Sequence, residues 1–174
     1  MGNPAPSIWT IGVDTGQKGA LAAVSNAKSI VLWDLPLQDG KLWGTQFRDY
    51  IRMLGTSDKI IRLAVIEKNN AMPPRSKFGQ PVRKAGAQSS FNFGEMQGEA
   101  RGVCIGLGIP VANVPASVWK KHYGLSHDKA LSVLKACALF PEYEMLFEGP
   151  RGGIKDGRAE AVLLAQYGQR MVLP

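Results

Sequence analysis

Twice in this chain an apolar run stops on a single acid, and no other feature limits the fold as much. Ile8-Trp9-Thr10-Ile11-Gly12-Val13 ends on Asp14, and Ile60-Ile61-Arg62-Leu63-Ala64-Val65-Ile66 ends on Glu67. β-Branched and aromatic residues fill both runs, so each predicts a strand, the second one buried. After Asp14 the stretch Thr15-Gly16-Gln17-Lys18-Gly19 breaks the run and Ala20-Leu21-Ala22-Ala23-Val24 resumes it. That is a hairpin whose glycines allow close approach to the backbone. A carboxylate at the end of a rigid strand is well held, as a catalytic group must be.

The remaining elements follow by periodicity. Ser29–Leu35 predicts a third strand, closed by Pro36 and the Asp39-Gly40 turn. Trp43, Phe47, Tyr50, Ile51 and Leu54 recur at helical spacing, and Pro110–Pro115 reads as a fifth strand. Phe91–Gly108 predicts a long helix with Phe93, Met96, Ala100, Val103, Cys104 and Leu107 on one stripe. Its glycines, Gly94, Gly98, Gly102 and Gly106, each cost roughly 1 kcal/mol against alanine in a helix interior. Tight packing on the sheet is the expected compensation, and a dimer seam is the alternative. Ala116–Tyr123 precedes a helix with Ser126 as N-cap and with Leu131, Leu134, Ala138 and Leu139 inward. A last helix opens near Lys155. Strands interleaved with helices over 174 residues predict one α/β domain spanning 1–174.

Charge narrows the partners. Lys and Arg number 21 against 14 Asp and Glu, a net +7, which favours a polyanion, nucleic acid first. From Lys68 to Ser90 the chain is rich in Pro and Gly and holds Lys68, Arg75, Lys77, Arg83 and Lys84 with no acid. Phe78 stands among these cations, a combination suited to phosphates plus stacking on an unpaired base. Lys121, Arg151 and Lys155 extend the basic set. No apolar run is long enough to span a bilayer. The first seven residues have no secretory leader, which predicts a cytoplasmic protein of a bacterium or phage-infected host, or an organellar one after loss of a transit peptide. Cys104 and Cys137 lack any metal or disulfide spacing and read as reduced; the two histidines read as bland.

Asp156 and Glu160 are four apart at the start of the last helix, so they share a face, among small apolar Ala159, Ala161 and Ala165. Two like charges on such a face call for a cation. With Asp14 and Glu67 they make four carboxylates on rigid elements, the hard oxygen donors that Mg²⁺, or Mn²⁺ in its place, prefers. Two such ions would clamp the attacking and leaving oxygens of an in-line phosphoryl displacement.

Ile11-Gly12-Val13-Asp14-Thr15-Gly16 with Gly19-Ala20 resembles the first-strand motif of RuvC-like Holliday junction resolvases. Ala64-Val65-Ile66-Glu67 is similar to that family's acid-ending fourth strand, and Phe93–Val103 to its long helix. Lys120 in Val118-Trp119-Lys120 and Lys129 in Ser126-His127-Asp128-Lys129 match the family's active-site lysines. Asp156-Gly157-Arg158-Ala159-Glu160-Ala161 departs from the Ala-Asp-Ala close of many bacterial members, toward the phage and chloroplast branch. The resemblance implies an RNase H-like fold, with a central five-stranded mixed sheet and helices on both faces. It also implies a homodimeric endonuclease that nicks four-way DNA junctions symmetrically, using two Mg²⁺ on Asp14, Glu67, Asp156 and Glu160. Two rival readings remain open: an actin-like phosphotransferase, on the strength of Asp14-Thr15-Gly16, and a non-catalytic module that binds branched DNA.

Overall fold

The computed structural model describes residues 6–55, 59–68, 87–149 and 152–172, with backbone alone at 87–89. In chain order it runs β1 (Ser7–Val13), β2 (Ala20–Ser25), β3 (Ile30–Asp34) and a small hairpin, β4 (Leu37–Gln38) with β5 (Lys41–Leu42). Then come α1 (Gly44–Leu54), β6 (Lys59–Lys68), α2 (Ala87–Gly106), β7 (Val111–Pro115), α3 (Ala116–His122), α4 (Lys129–Leu139) and α5 (Asp156–Val172). Asp39 and Gly40 turn the small hairpin with φ of 52° and 75°, the left-handed pair a two-residue turn requires.

Five strands form one sheet in the order β3-β2-β1-β6-β7. The tight turn after Asp14 makes β1 and β2 antiparallel, whereas helical crossovers set β6 parallel to both β1 and β7. The sheet is therefore mixed, as expected. Side chains alternate between its faces. Leu21, Ala23, Ala64 and Ile66 point to a core shared with Phe47, Ile51 and Leu54 of α1 and Met96, Ala100 and Cys104 of α2. Ala20, Ala22, Val24, Leu63 and Val65 point the other way, to Trp119 of α3, Ala136 of α4 and Val162, Leu163 and Leu164 of α5. Both faces are covered by helices.

Helix α5 lies almost on the backbone of the sheet. A Cβ at Gly12 would collide with Ala161 O and Ala165 N, and one at Gly157 would collide with Lys18 O in the β1–β2 turn. Glycine at these two places lets the helix start press against the end of β1. Thr10 Oγ1 fastens the contact by donating to Ala165 O at 2.7 Å.

Three expectations need correcting. The glycines of α2 do not pack on the sheet: a Cβ at Gly94, Gly98, Gly102 or Gly106 would meet nothing within 4 Å. They lie half a turn from buried Met96, Ala100 and Cys104, so the ridge faces outward, and Phe93 at its edge is 37% exposed. Helix α4 is rotated from its apolar stripe, for Leu131 and Leu134 are exposed while Ser132 and Ala136 are buried. Its N-cap is Asp128, which accepts the Ala130 N–H at 3.0 Å; Ser126 instead accepts from Asp128 N.

Candidate active site

The acids come together because their elements meet at one end of the sheet. Asp14 follows the last residue of β1, and Glu67 is the penultimate residue of β6, whose Ile66 pairs with Val13. The contact through Gly12 and Gly157 brings the first turn of α5, with Asp156 and Glu160, to the same end. Strand carboxyl ends are where open α/β sheets place their ligands.

Each carboxylate has a partner. Asp14 Oδ1 accepts the Gly16 N–H at 3.0 Å. Glu67 Oε2 accepts Trp119 Nε1–H at 3.1 Å. Glu160 Oε1 accepts from Lys120 Nζ at 2.6 Å and from Ser132 Oγ at 3.1 Å. Asp156 Oδ2 pairs with Lys129 Nζ. The lysines expected at the site are thus there, each bound to one acid. Trp119 and Ser132 were not foreseen. The signal for Ser132 was a hydroxyl one turn after Lys129, between the apolar Leu131 and Val133. For Trp119 there was none, because a buried tryptophan is ordinary core.

The electrostatics follow from crowding. Burial, and then the charges of Glu160 and Asp156, push the Asp14 carboxyl up to about 6, although the Gly16 N–H and Lys129 pull against them. Burial, followed by the charges of Asp14 and Glu160, pushes Glu67 up to about 7 despite Trp119 and Lys120. The hydrogen bond to Asp156 holds the Lys129 ammonium above its usual range. Protonation of Asp14 and Glu67 is easier in the folded than in the unfolded chain, so folding is favoured at low pH and the advantage is lost as pH rises. Protein stripped of divalent ions is therefore expected to lose on the order of 3 kcal/mol of stability between pH 4 and pH 7.5. Thermal melts in EDTA across that range would read it, and a flat profile would refute it.

A site with surplus buried negative charge and only hard oxygen donors fits a divalent cation such as Mg²⁺. Among the described residues, however, no three His, Cys, Asp or Glu side chains already close on a point that could hold an ion. Lys120 and Lys129 occupy lone pairs that an ion would take.

The other basic residues are more scattered. Lys121 is exposed on α3 and, with Lys120, Ser126 and His127, lines an open cavity of about 350 Å³. Lys155 lies 3.7 Å from Asp34, which Arg158 also grips through both oxygens, at 2.6 and 2.9 Å. Lys68 is exposed at the end of β6. Arg75, Lys77, Phe78, Arg83, Lys84 and Arg151 lie outside the described residues. Cys104 and Cys137 are free thiols, and His122 contacts Arg170, its Nε2 2.9 Å from Nη1. Among the described residues, no helix is long and apolar enough to cross a membrane.

No protein-family profile matches the chain, and no curated protein sequence does either. Solved structures do match. Thermus thermophilus RuvC in complex with a Holliday junction substrate is 13% identical with a TM-score of 0.54. A second Thermus thermophilus RuvC structure is 12% identical with a TM-score of 0.57. In both, the match covers 95% of this chain and 97% of the other. With its five-stranded mixed sheet, its strand order and helices on both faces, the chain has the RNase H-like fold that RuvC adopts.

Proposed function

We propose that this protein is a metal-dependent endonuclease, folded as one domain, that resolves four-way DNA junctions by paired nicks. The observation that carries the reading is the meeting of Asp14, Glu67, Asp156 and Glu160 at one sheet end, with two lysines among them. Four carboxylates balance two divalent ions, and these residues would hold them. The ions, when bound, supply an activated water and stabilisation of the departing 3′ oxygen. The chain's own residues do the rest. Gly16 N–H fixes the Asp14 carboxylate, and Trp119 Nε1 fixes that of Glu67, so both donors are oriented before the ions arrive. With the acids otherwise compensated, Lys120 and Lys129, which now neutralise Glu160 and Asp156, would be free to meet the charge that builds on the scissile phosphate. Lys68, Lys121 and the basic segment up to Lys84 would hold the junction arms by charge.

Symmetric nicking needs two sites, hence a homodimer. The outward glycine ridge supports this, since it lets a second copy approach α2 closely around Gly102, Gly106 and the 55%-exposed Ile105. The deciding experiment incubates the protein with labelled four-way, forked and linear duplexes in Mg²⁺ or EDTA. Paired cuts in the four-way substrate, abolished by chelation, are expected. No cutting of branched DNA in Mg²⁺ or Mn²⁺ would overturn the reading.

A further inference from the structure

On the opposite face of the sheet from the acids, the end of β6 borders an open groove of about 390 Å³. It is lined by Lys68, Gly94, Gln97, Gly98, Arg101 and Asn113. Lys68 directly follows Glu67, so groove and acids straddle one strand end. The groove's chemistry is uneven. Lys68 and Arg101 are exposed cations, and no hydrogen bond or ion pair ties up either one among the described residues. Between them Gln97 Nε2 donates a long hydrogen bond of 3.4 Å to Asn113 Oδ1. That bond uses Gln97 Nε2 and Asn113 Oδ1, so the pair still has Gln97 Oε1 to accept and Asn113 Nδ2 to donate. Gly94 and Gly98 form the wall beneath, where an added Cβ would touch nothing. A flat group can therefore lie against the helix backbone.

We infer that this groove holds a DNA strand next to the cut site, its phosphates on Lys68 and Arg101 and an adenine edge on the Gln97–Asn113 amide pair. Phosphate contacts position a strand, and amide pairs read bases. Adenine offers an N6 amino donor beside the N7 acceptor, which is the complement of the two free amide atoms. The inference rests on the junction-cutting reading in taking DNA as the ligand and in placing the cut at the four acids.

The test measures binding in EDTA, so it needs no cleavage. Full-length protein is titrated by fluorescence anisotropy against four-way junctions carrying A, C, G or T beside the crossover. Wild type is expected to bind the adenine set about tenfold more tightly. Gln97→Ala with Asn113→Ala, both surface changes, should erase that preference while junction binding persists. Lys68→Ala and Arg101→Ala should each weaken all four sets alike and lower the salt slope by about 1. Equal binding of the four sets by wild type, or a preference unchanged in the amide variant, overturns the inference. If the protein cuts no junction but shows the groove-dependent preference, the nuclease reading falls and the groove stands. If it cuts and the variants behave as wild type, the reverse holds.

Discussion

Asp14→Asn and Glu67→Gln should each reduce junction cleavage by at least about 10³-fold while leaving junction affinity in EDTA within about threefold. Both substitutions preserve side-chain volume and the accepting oxygen. The Gly16 N–H and the Trp119 Nε1–H, which bond Asp14 and Glu67 in the wild type, can each still donate to the oxygen of the new amide. Only the negative charge, which the proposed ions would require, is removed. A second readout separates this from damage to the fold. Each change deletes a buried negative charge that its neighbours repel, so the metal-free variants should melt higher than wild type at pH 7.5. Retained cleavage would count against the ligand assignment, and a lower melting temperature would count against the electrostatics.

The largest stability effect is expected at Gly12→Ala. The added methyl meets Ala161 O and Ala165 N, both main-chain atoms of a buried helix, so no side chain can turn aside to make room. The loss should be about 3 kcal/mol or more, a fall in Tm of roughly 6–12 °C for a chain of this size. Gly98→Ala is the control. It lies in a helix interior with open space around it, and alanine there should gain up to about 1 kcal/mol in helix propensity. Calorimetry of the pair decides the matter: equal effects would mean that α5 does not rest on β1 as described.

Much of this was legible in the sequence, and the reasons are local. An apolar run ending on one acid marks both a buried strand and its exit, so β1 with Asp14 and β6 with Glu67 could be read directly. The small apolar residues around Glu160 likewise set its face apart from a solvated charged one, although the close contact of α5 with β1 through Gly12 and Gly157 is visible only in the fold. What escaped depends on contacts between distant segments. Helix α4 was turned wrongly because its periodicity weighs Leu131 and Leu134 as core, whereas Ser132 is drawn inward by the Glu160 carboxylate. Ser126 and Asp128 are both good caps, and nothing local chooses between them. The pairing of Lys120 with Glu160 and Lys129 with Asp156, 40 and 27 residues apart, is set by packing of α3 and α4 beside α5, which no spacing rule encodes. The outward glycine ridge of α2 was misjudged for a related reason: a repeat of four residues fixes a face but not the direction it looks.

The two lysine–acid pairs have a consequence for the order in which the molecule is assembled. A pocket that depended on outside ions to offset four like charges would be forced open in a newly made chain until those ions came. Here the polypeptide carries provisional counterions of its own, tethered on neighbouring helices. On the proposed reading the protein would finish folding first and be armed afterwards, with ions and substrate phosphate taking the places of the two ammonium groups.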